Sequence, residues 1–175
     1  IYNQTKGLMQ FYKDPILFSG DNQVTGDFIE AYTNAKTEKL DSMKVFNNAF
    51  AIAKVDSLKD NEFNQIKGKY LTVLFQDDKI DFVNVQENAV ALTYMDDTDA
   101  KTKKIERYGI NISYCGIIEV DLVGKDVDKV ACRIKSDGKL YPHSQFPDEL
   151  RYLPDFKWRI KERLNTWKDI FGDSK

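Results

Sequence analysis

Histidine and cysteine carry much of the nucleophilic and metal chemistry available near neutral pH, and this chain is poor in both. Its single histidine is His143, and its two cysteines are Cys115 and Cys132. A Cys–His nucleophile pair needs a thiol beside the imidazole and shifted towards thiolate. Cys132, however, aligns with Val45 and Val85 in two related stretches, a place for a small apolar side chain. His143 follows Pro142 in a proline-punctuated segment. The pattern favours a structural cysteine and a surface histidine over a dyad. Both cysteines are expected as small hydrophobes in strands. A single disulfide stays open, two cysteines being too few for a framework, and they leave the compartment unassigned.

Metal and phosphate chemistry find no better footing. One histidine and two cysteines do not make a dedicated zinc site without carboxylates at the right distance. The run Asp96-Asp97-Thr98-Asp99 is acidic enough for a calcium loop. It lacks the glycine turn and the closing glutamate, and reads as a solvated loop. No glycine-rich stretch links a strand to a helix as a phosphate loop does. The expectation is no catalytic residue, no metal and no cofactor: the chain is not read as an enzyme.

What the residues do show is a repeat. Lys39-Leu-Asp-Ser-Met43-Lys-Val45 aligns with Lys79-Ile-Asp-Phe-Val83-Asn-Val85 and with Asp126-Val-Asp-Lys-Val130-Ala-Cys132. Each copy runs into a small polar corner, Asn48-Ala49, Asn88-Ala89 and Asp137-Gly138, and a half-copy precedes them at Lys13-Asp14-Pro15-Ile16. The corners are 34, 40 and 49 residues apart. Asn, Asp, Gly and Pro tolerate or enforce sharp changes of backbone direction. A period of this size marks units that bury their apolar faces on one another.

A second strand precedes each corner strand, beginning at Gly26, Gly68 and Gly116. In the third, Ile118, Val120 and Leu122 alternate with Glu119 and Asp121, the period of a strand with one dry and one wet face. Alignment carries this parity to the other copies. It places Ile29, Val45, Leu71, Val73, Phe75, Val83, Val85, Ile118, Val120, Leu122 and Val130 inward. Beyond the corners parity stays open, because Ala49-Phe50-Ala51-Ile52 is apolar on both faces. Val55–Glu62 and Asp96–Arg107 read as exposed charged loops. Tyr141–Asp155, broken by Pro142, Pro147 and Pro154, reads as extended coil over the surface. Ile160, Leu164, Trp167 and Phe171 fall at helical spacing, so the tail is either a short amphipathic helix or an irregular segment pinned by Trp158 and Trp167.

Composition sets the outer bounds. The chain has 175 residues, 42% of them hydrophobic, with Phe and Tyr well ahead of Trp, which suits a strand-rich soluble protein. Basic residues number 26 against 28 acidic, without the surplus a nucleic-acid binder shows. No apolar run is long enough to span a membrane. The chain opens at Ile1 without a methionine or a signal sequence, so it is expected to be processed or trimmed, with further repeats or a docking partner upstream. The fold expected from the residues is all-β, a repeat-built stack or folded slab of roughly ten antiparallel strands over 1–145. A coil or short-helix tail follows over 146–175.

The stretches GDFIEAYTN, KLDSMKVFNNAFAIAK, NQIKGKYL and DDKIDFVNVQENAVALTY, with the ending DGKLYPHSQFP, resemble the OstA-like proteins, related to LptA. The resemblance covers about residues 10–160 and rests on the repeated unit and its ending. It implies a β-jellyroll-like slab, bent into a V or U and open at both ends, whose apolar interior holds the acyl chains of lipopolysaccharide. It implies a periplasmic location with any signal peptide removed, and a place peripheral to membranes. Its partners would be lipopolysaccharide and other slabs or transport proteins of this type, joined by edge-strand pairing. The inward residues named above are then the candidate lipid groove. The competing expectation is a scaffold that docks partners through its edges and binds no lipid.

Overall fold

The structure, a computed structural model, describes residues 1–3, 7–34, 36–55, 61–77, 79–98, 102, 105–123 and 126–164. The alternating stretches form strands throughout: β1 (Tyr2–Asn3), β2 (Leu8–Tyr12), β3 (Ile16–Ser19), β4 (Asn22–Thr25), β5 (Phe28–Thr33), β6 (Leu40–Lys54), β7 (Phe63–Gln76), β8 (Lys79–Thr98), β9 (Ile105–Val123), β10 (Asp126–Arg133) and β11 (Asp137–Pro142). They make one open antiparallel sheet in the order β1-β2-β5-β6-β7-β8-β9-β10, with β4 between β3 and β6, and β11 beside β9. The expected all-β slab is what the chain forms.

One line of corners crosses this sheet. Consecutive residues adopt left-handed backbone at Lys13-Asp14, Asn47-Asn48, Glu87-Asn88 and Ile134-Lys135. Between these pairs in the chain lie Gly26, in the link from β4 to β5, Gly68 on β7 and Gly116 on β9. A Cβ at Gly26 would stand 2.3 Å from Val45 Cγ1, at Gly68 2.5 Å from Val85 Cγ1, and at Gly116 2.8 Å from Ile134 Cβ. The two features belong together. A left-handed pair inserts an extra residue and bends its strand, and only a glycine opposite leaves room for the bend. The pairing register shifts at the same places, between Phe46 and Ala49 and between Gln86 and Ala89.

The fourth corner corrects the sequence reading. Asp137-Gly138 has the better turn chemistry, yet it begins β11, and the bend falls at Ile134-Lys135. The reason is register: the Gly116 N–H donates to the Ile134 carbonyl at 2.7 Å, so the corner must face Gly116. A branched Ile in left-handed backbone costs about 1–2 kcal/mol, and such residues persist where their surroundings over-determine them. Here the surroundings include a disulfide from Cys132 to Cys115 (Cα–Cα 5.6 Å), the residue before Gly116. The expectation of two separate small hydrophobes is thus replaced by a staple at the one corner without Asn, Asp or Gly.

The corner line divides the sheet into two arms. The first holds β2, β5, β10, residues 40–46 of β6, 70–76 of β7, 79–86 of β8 and 117–123 of β9. The second holds β3, β4, β11 and the other halves of the long strands. One core lies on the inner face: Ile29, Met43, Val45, Leu71, Val73, Val85 and Ile118 of the first arm, with Leu17, Val24, Ala51, Ile66 and Ala91 of the second packed against it. A second core lies on the outer face of the second arm, built on Phe50, Ile52, Phe63, Leu92, Tyr94, Ile110 and Ile112. Parity beyond the corners is thereby settled. Ala49 and Ala51 point inward, and Phe50 and Ile52 outward.

What covers the outer core is the stretch expected to be surface coil. Phe146 and Leu153 are buried in it, with Leu150, Phe156 and Trp158 packed alongside. Short 3-10 turns at His143–Gln145, Asp148–Leu150 and Ile160–Glu162 carry this segment across the arm. Only the last of these falls within the stretch at helical spacing, among its described residues; Trp167 and Phe171 lie outside the described residues. The expected loop at Asp96–Arg107 is shorter than read, because Asp96 pairs with Arg107, Asp97 with Glu106 and Thr98 with Ile105 in the β8–β9 ladder. Glu62, read as part of an exposed loop, is buried; residues 56–60 lie outside the described residues.

Candidate functional site

The inner face of the first arm is an apolar surface laid out in rows. Ile29, Val45, Leu71, Val85, Ile118 and Cys132 stand opposite one another from β5 to β10. One pleat further from the corner, Ala31, Met43, Val73, Val83, Val120 and Val130 form a second row. Phe75 opposite Ile80, and Leu122 opposite Val127, lie further out still. Directly opposed residues share a face. Ten of the eleven candidate residues are therefore linked by this register or by the alternation of β9, and Phe75 joins them by packing against the same core.

Burial along the rows is graded. The first row is fully buried from Ile29 to Ile118. The second is buried at Ala31, Met43 and Val73, half-buried at Val83 and Val120, and 60% exposed at Val130. Phe75, Ile80 and Leu122 are half-buried. The inner core takes in every candidate except Leu122 and Val130. The apolar face is thus closed near the corner at β5–β7 and opens in two directions, away from the corner and towards β10. Val130 keeps its expected parity but sits on a strand that, among the described residues, pairs only with β9, and it is exposed. Two shallow hollows, of about 240 and 140 Å³, lie elsewhere, beside β11 and at the Asp14–Asn48 corner.

The residues singled out for chemistry have other partners. Cys115 and Cys132 are joined, so neither presents a thiolate. His143 Nε2 lies 3.5 Å from Glu62 Oε1. Glu62 also receives a hydrogen bond from Arg107, whose guanidinium donates to both oxygens of Asp96 at 2.7 and 2.9 Å. That Asp96 carboxylate raises the Arg107 pKa against the opposing effect of burial. The same guanidinium lies 5.2 Å over the ring of Tyr94, whose phenol burial pushes up. These groups tie β8, β9 and the segment after β11 together as a structural network. Among the described residues, no group of three or more His, Cys, Asp or Glu is placed to hold a metal.

Two polar residues that the alternation did not single out lie at the heart of the outer face. Gln23 of β4 and Gln65 of β7 are 1% and 2% exposed. Each turns its amide to the main chain of the crossing segment, and the Gln65 Nε2 also donates to the Phe63 carbonyl of its own strand at 3.3 Å. Gln65 donates to the Arg151 carbonyl at 2.8 Å and accepts from the Leu153 N–H at 2.8 Å. Gln23 donates to the Lys157 carbonyl at 2.7 Å and accepts from the Arg159 N–H at 2.7 Å. The signal available in the sequence was a glutamine on a strand face otherwise lined by Phe and Ile.

Comparison with known proteins returns nothing to set beside this geometry: no family model, no curated protein and no solved structure matches the chain.

Proposed function

We propose that this chain is a non-enzymatic carrier that holds the acyl chains of a lipopolysaccharide-type glycolipid against the inner face of its first arm, as one component of a bridge to the outer membrane. The observation that carries the reading is the graded apolar face, continuous over six strands and opening towards β10. Apolar burial is non-directional, so such a face accepts a flexible chain without a dedicated polar site. Each buried methylene contributes roughly 0.8 kcal/mol. An acyl chain enters at the open end, over Val120, Leu122 and Val130, and reaches the deeper rows only as the arms part. The disulfide supports a location outside the reducing cytosol, in keeping with a periplasmic carrier.

The test places a photo-crosslinking residue at Val120 or Val130, on the inner face, and at Glu119 or Ala131, their neighbours on the outer face. Each variant is irradiated with intact lipopolysaccharide and with its deacylated sugar core. Capture of the intact lipid alone, by the inner positions alone, is the expected result. Equal labelling of both faces, or none, removes the lipid reading.

A second reading rests on a different observation. Among the described residues β10 pairs only with β9, and Val127 and Val130 are exposed on it. An open edge with exposed apolar side chains is suited to pairing with a strand of another protein. In that case the slab is a scaffold, and crosslinks from β10 capture protein instead of lipid.

A further inference from the structure

The segment after β11 crosses its arm strand by strand. Phe146 packs edge-on to Tyr141 of β11, with ring centroids 5.4 Å apart. Arg151 meets Tyr94 of β8 at 3.4 Å, and Leu153 meets Gln65 of β7. Phe156 lies against Phe50 of β6 and Phe63 of β7, and Trp158 against Phe63 at 5.1 Å. Lys157 and Arg159 meet Gln23 of β4, and Arg163 reaches the Gly20 carbonyl in the β3–β4 turn at 2.7 Å. The segment, residues 143–163, is a strap that runs from one edge of the arm to the other.

The manner of its attachment resembles ligand binding more than core packing. A packed core reads side chains, whereas Gln23 and Gln65 read main chain. Each grips the carbonyl of one strap residue and the N–H of the residue two further on, and the two grips are spaced six residues apart. Lys67 adds a third main-chain contact, to the Pro154 carbonyl at 2.8 Å. Both glutamines are buried beneath the strap, and their amides find partners on its main chain; losing such a partner while the group stays buried costs about 1–3 kcal/mol. The aromatic residues supply the side-chain anchors between the grips. Extended peptides are bound this way, by main-chain hydrogen bonds with pockets for selected side chains.

We infer that the outer face of the second arm is a peptide receptor, that the strap is its ligand, and that the strap of one copy can occupy the receptor of a second copy of this chain. The geometry allows the exchange. The strap leaves from β11, which pairs only with β9 among the described residues and so forms the edge of its arm. A neighbouring copy at that edge offers its own outer face where the strap departs. Only 143–145 needs to change direction, and Ser144 and Gln145 there are exposed. This inference is independent of whether the inner face carries lipid.

The experiment mixes two full-length variants. One keeps the receptor but loses the strap anchors (Leu153→Ala, Phe156→Ala, Trp158→Ala). The other keeps the strap but loses the grips (Gln23→Ala, Gln65→Ala). Each alone is expected to sediment as a monomer, and the mixture as a one-to-one dimer. A mixture that stays monomeric, with both variants folded by circular dichroism, overturns the inference. If either variant fails to fold, the same question is put to the unmutated face. A protease site is inserted between Ser144 and Gln145 of the full chain, the chain is cut, and a fluorescent peptide of residues 146–164 is added in excess. Exchange of the cut strap for the labelled peptide supports the inference. Affinity should then fall about tenfold for each grip removed, about 1.4 kcal/mol apiece. A cut strap that never exchanges, or a labelled peptide that never binds, refutes it.

Discussion

The two arms share strands, hydrogen-bond ladders and a corner line, but they solve burial differently. In the first arm the apolar face is aliphatic and looks inward, closed at β5–β7 and open at β10. In the second, the outward apolar face mixes aromatic with aliphatic residues, and a strap of the same chain covers it from edge to edge. The contrast follows from the bend. Folding the sheet along the corner line supplies each arm with an inner partner, and small residues such as Ala51 and Ala91 on the second arm let the arms approach. The outer faces then differ only by composition. That of the first arm carries polar residues and the ladder Tyr12–Phe28–Phe46–Tyr70, whose rings pack on one another at 4.7 to 6.3 Å. That of the second carries Phe50, Ile52, Phe63, Leu92 and Ile110, which no soluble sheet leaves bare.

The comparison is broken most strongly at Phe63. It is 3% exposed, with Tyr152, Phe156 and Trp158 around it, so Phe63→Ala should cost about 3–5 kcal/mol by cavity formation and loss of the strap's anchor. Val130→Ala, at the open end of the other arm, should change stability by less than about 0.5 kcal/mol. Urea denaturation of the two variants measures the contrast, and similar losses would mean that the first arm is not open at β10.

The next largest effect belongs to the staple. Cys132→Ser leaves the Ile134-Lys135 corner without its cross-link and should cost about 2–4 kcal/mol. Hydrogen exchange should show β10 and β11 losing protection before β5 to β7. Uniform loss across the sheet would show that the disulfide acts on the whole slab and not on that corner.

Gly68→Ala probes the corner line itself. The new Cβ would meet Val85 Cγ1 at 2.5 Å and the Gln86 carbonyl oxygen at 3.0 Å, an overpacking cost of about 1–3 kcal/mol. Gly20→Ala is the control for crowding, since a Cβ there meets nothing within 4 Å, although its positive φ adds a backbone cost. A thermal melt in which Gly68→Ala is as stable as the parent would show that the bend yields without strain.

The smallest effect is a dependence on pH, felt at the strap and, on the sheet, at Glu30 of β5, whose carboxyl is held low by hydrogen bonds from Tyr32 and Gln10. Hydrogen bonding to Lys67 lowers the Asp155 pKa, and hydrogen bonding to Arg159 lowers that of Glu162. A carboxylate whose pKa is lowered on folding contributes stability that is present above its unfolded value and lost as pH falls through its folded one. Acid should therefore loosen the strap ahead of β8, read as faster exchange of the strap's Leu153 and Arg159 amides than of the Val85 amide below the ordinary carboxylate range. Both strap carboxylates are exposed, and salt should diminish the effect.

Several of these features could be read without coordinates. The alternation Ile118-Glu119-Val120-Asp121-Leu122 sets the parity of β9, and aligned copies transmit it to β6, β7, β8 and β10 because side chains in a strand alternate strictly. Asn48 and Asn88 mark two corners, since asparagine tolerates left-handed backbone. The same reasoning misplaces the fourth corner at Asp137-Gly138, because local turn preference is weaker than the register imposed by Gly116. It leaves Ala49-Phe50-Ala51-Ile52 undecided, because a strand apolar on both faces has no internal clue to which face meets which core. It misses Gln23 and Gln65, whose partners are more than eighty residues distant in the chain.

The sequence by itself determined a repeated, all-β slab and the parity of its inner rows, because these depend on periods of two residues and on turn residues at recurring places. Only the tertiary structure decided that Cys115 meets Cys132, that one end of the inner face is closed and the other open, and that the tail is a strap gripped by two buried glutamines. Those outcomes depend on which distant segments come together. Pairing across a bent sheet is set by the fit of whole faces, a quantity that no local stretch contains.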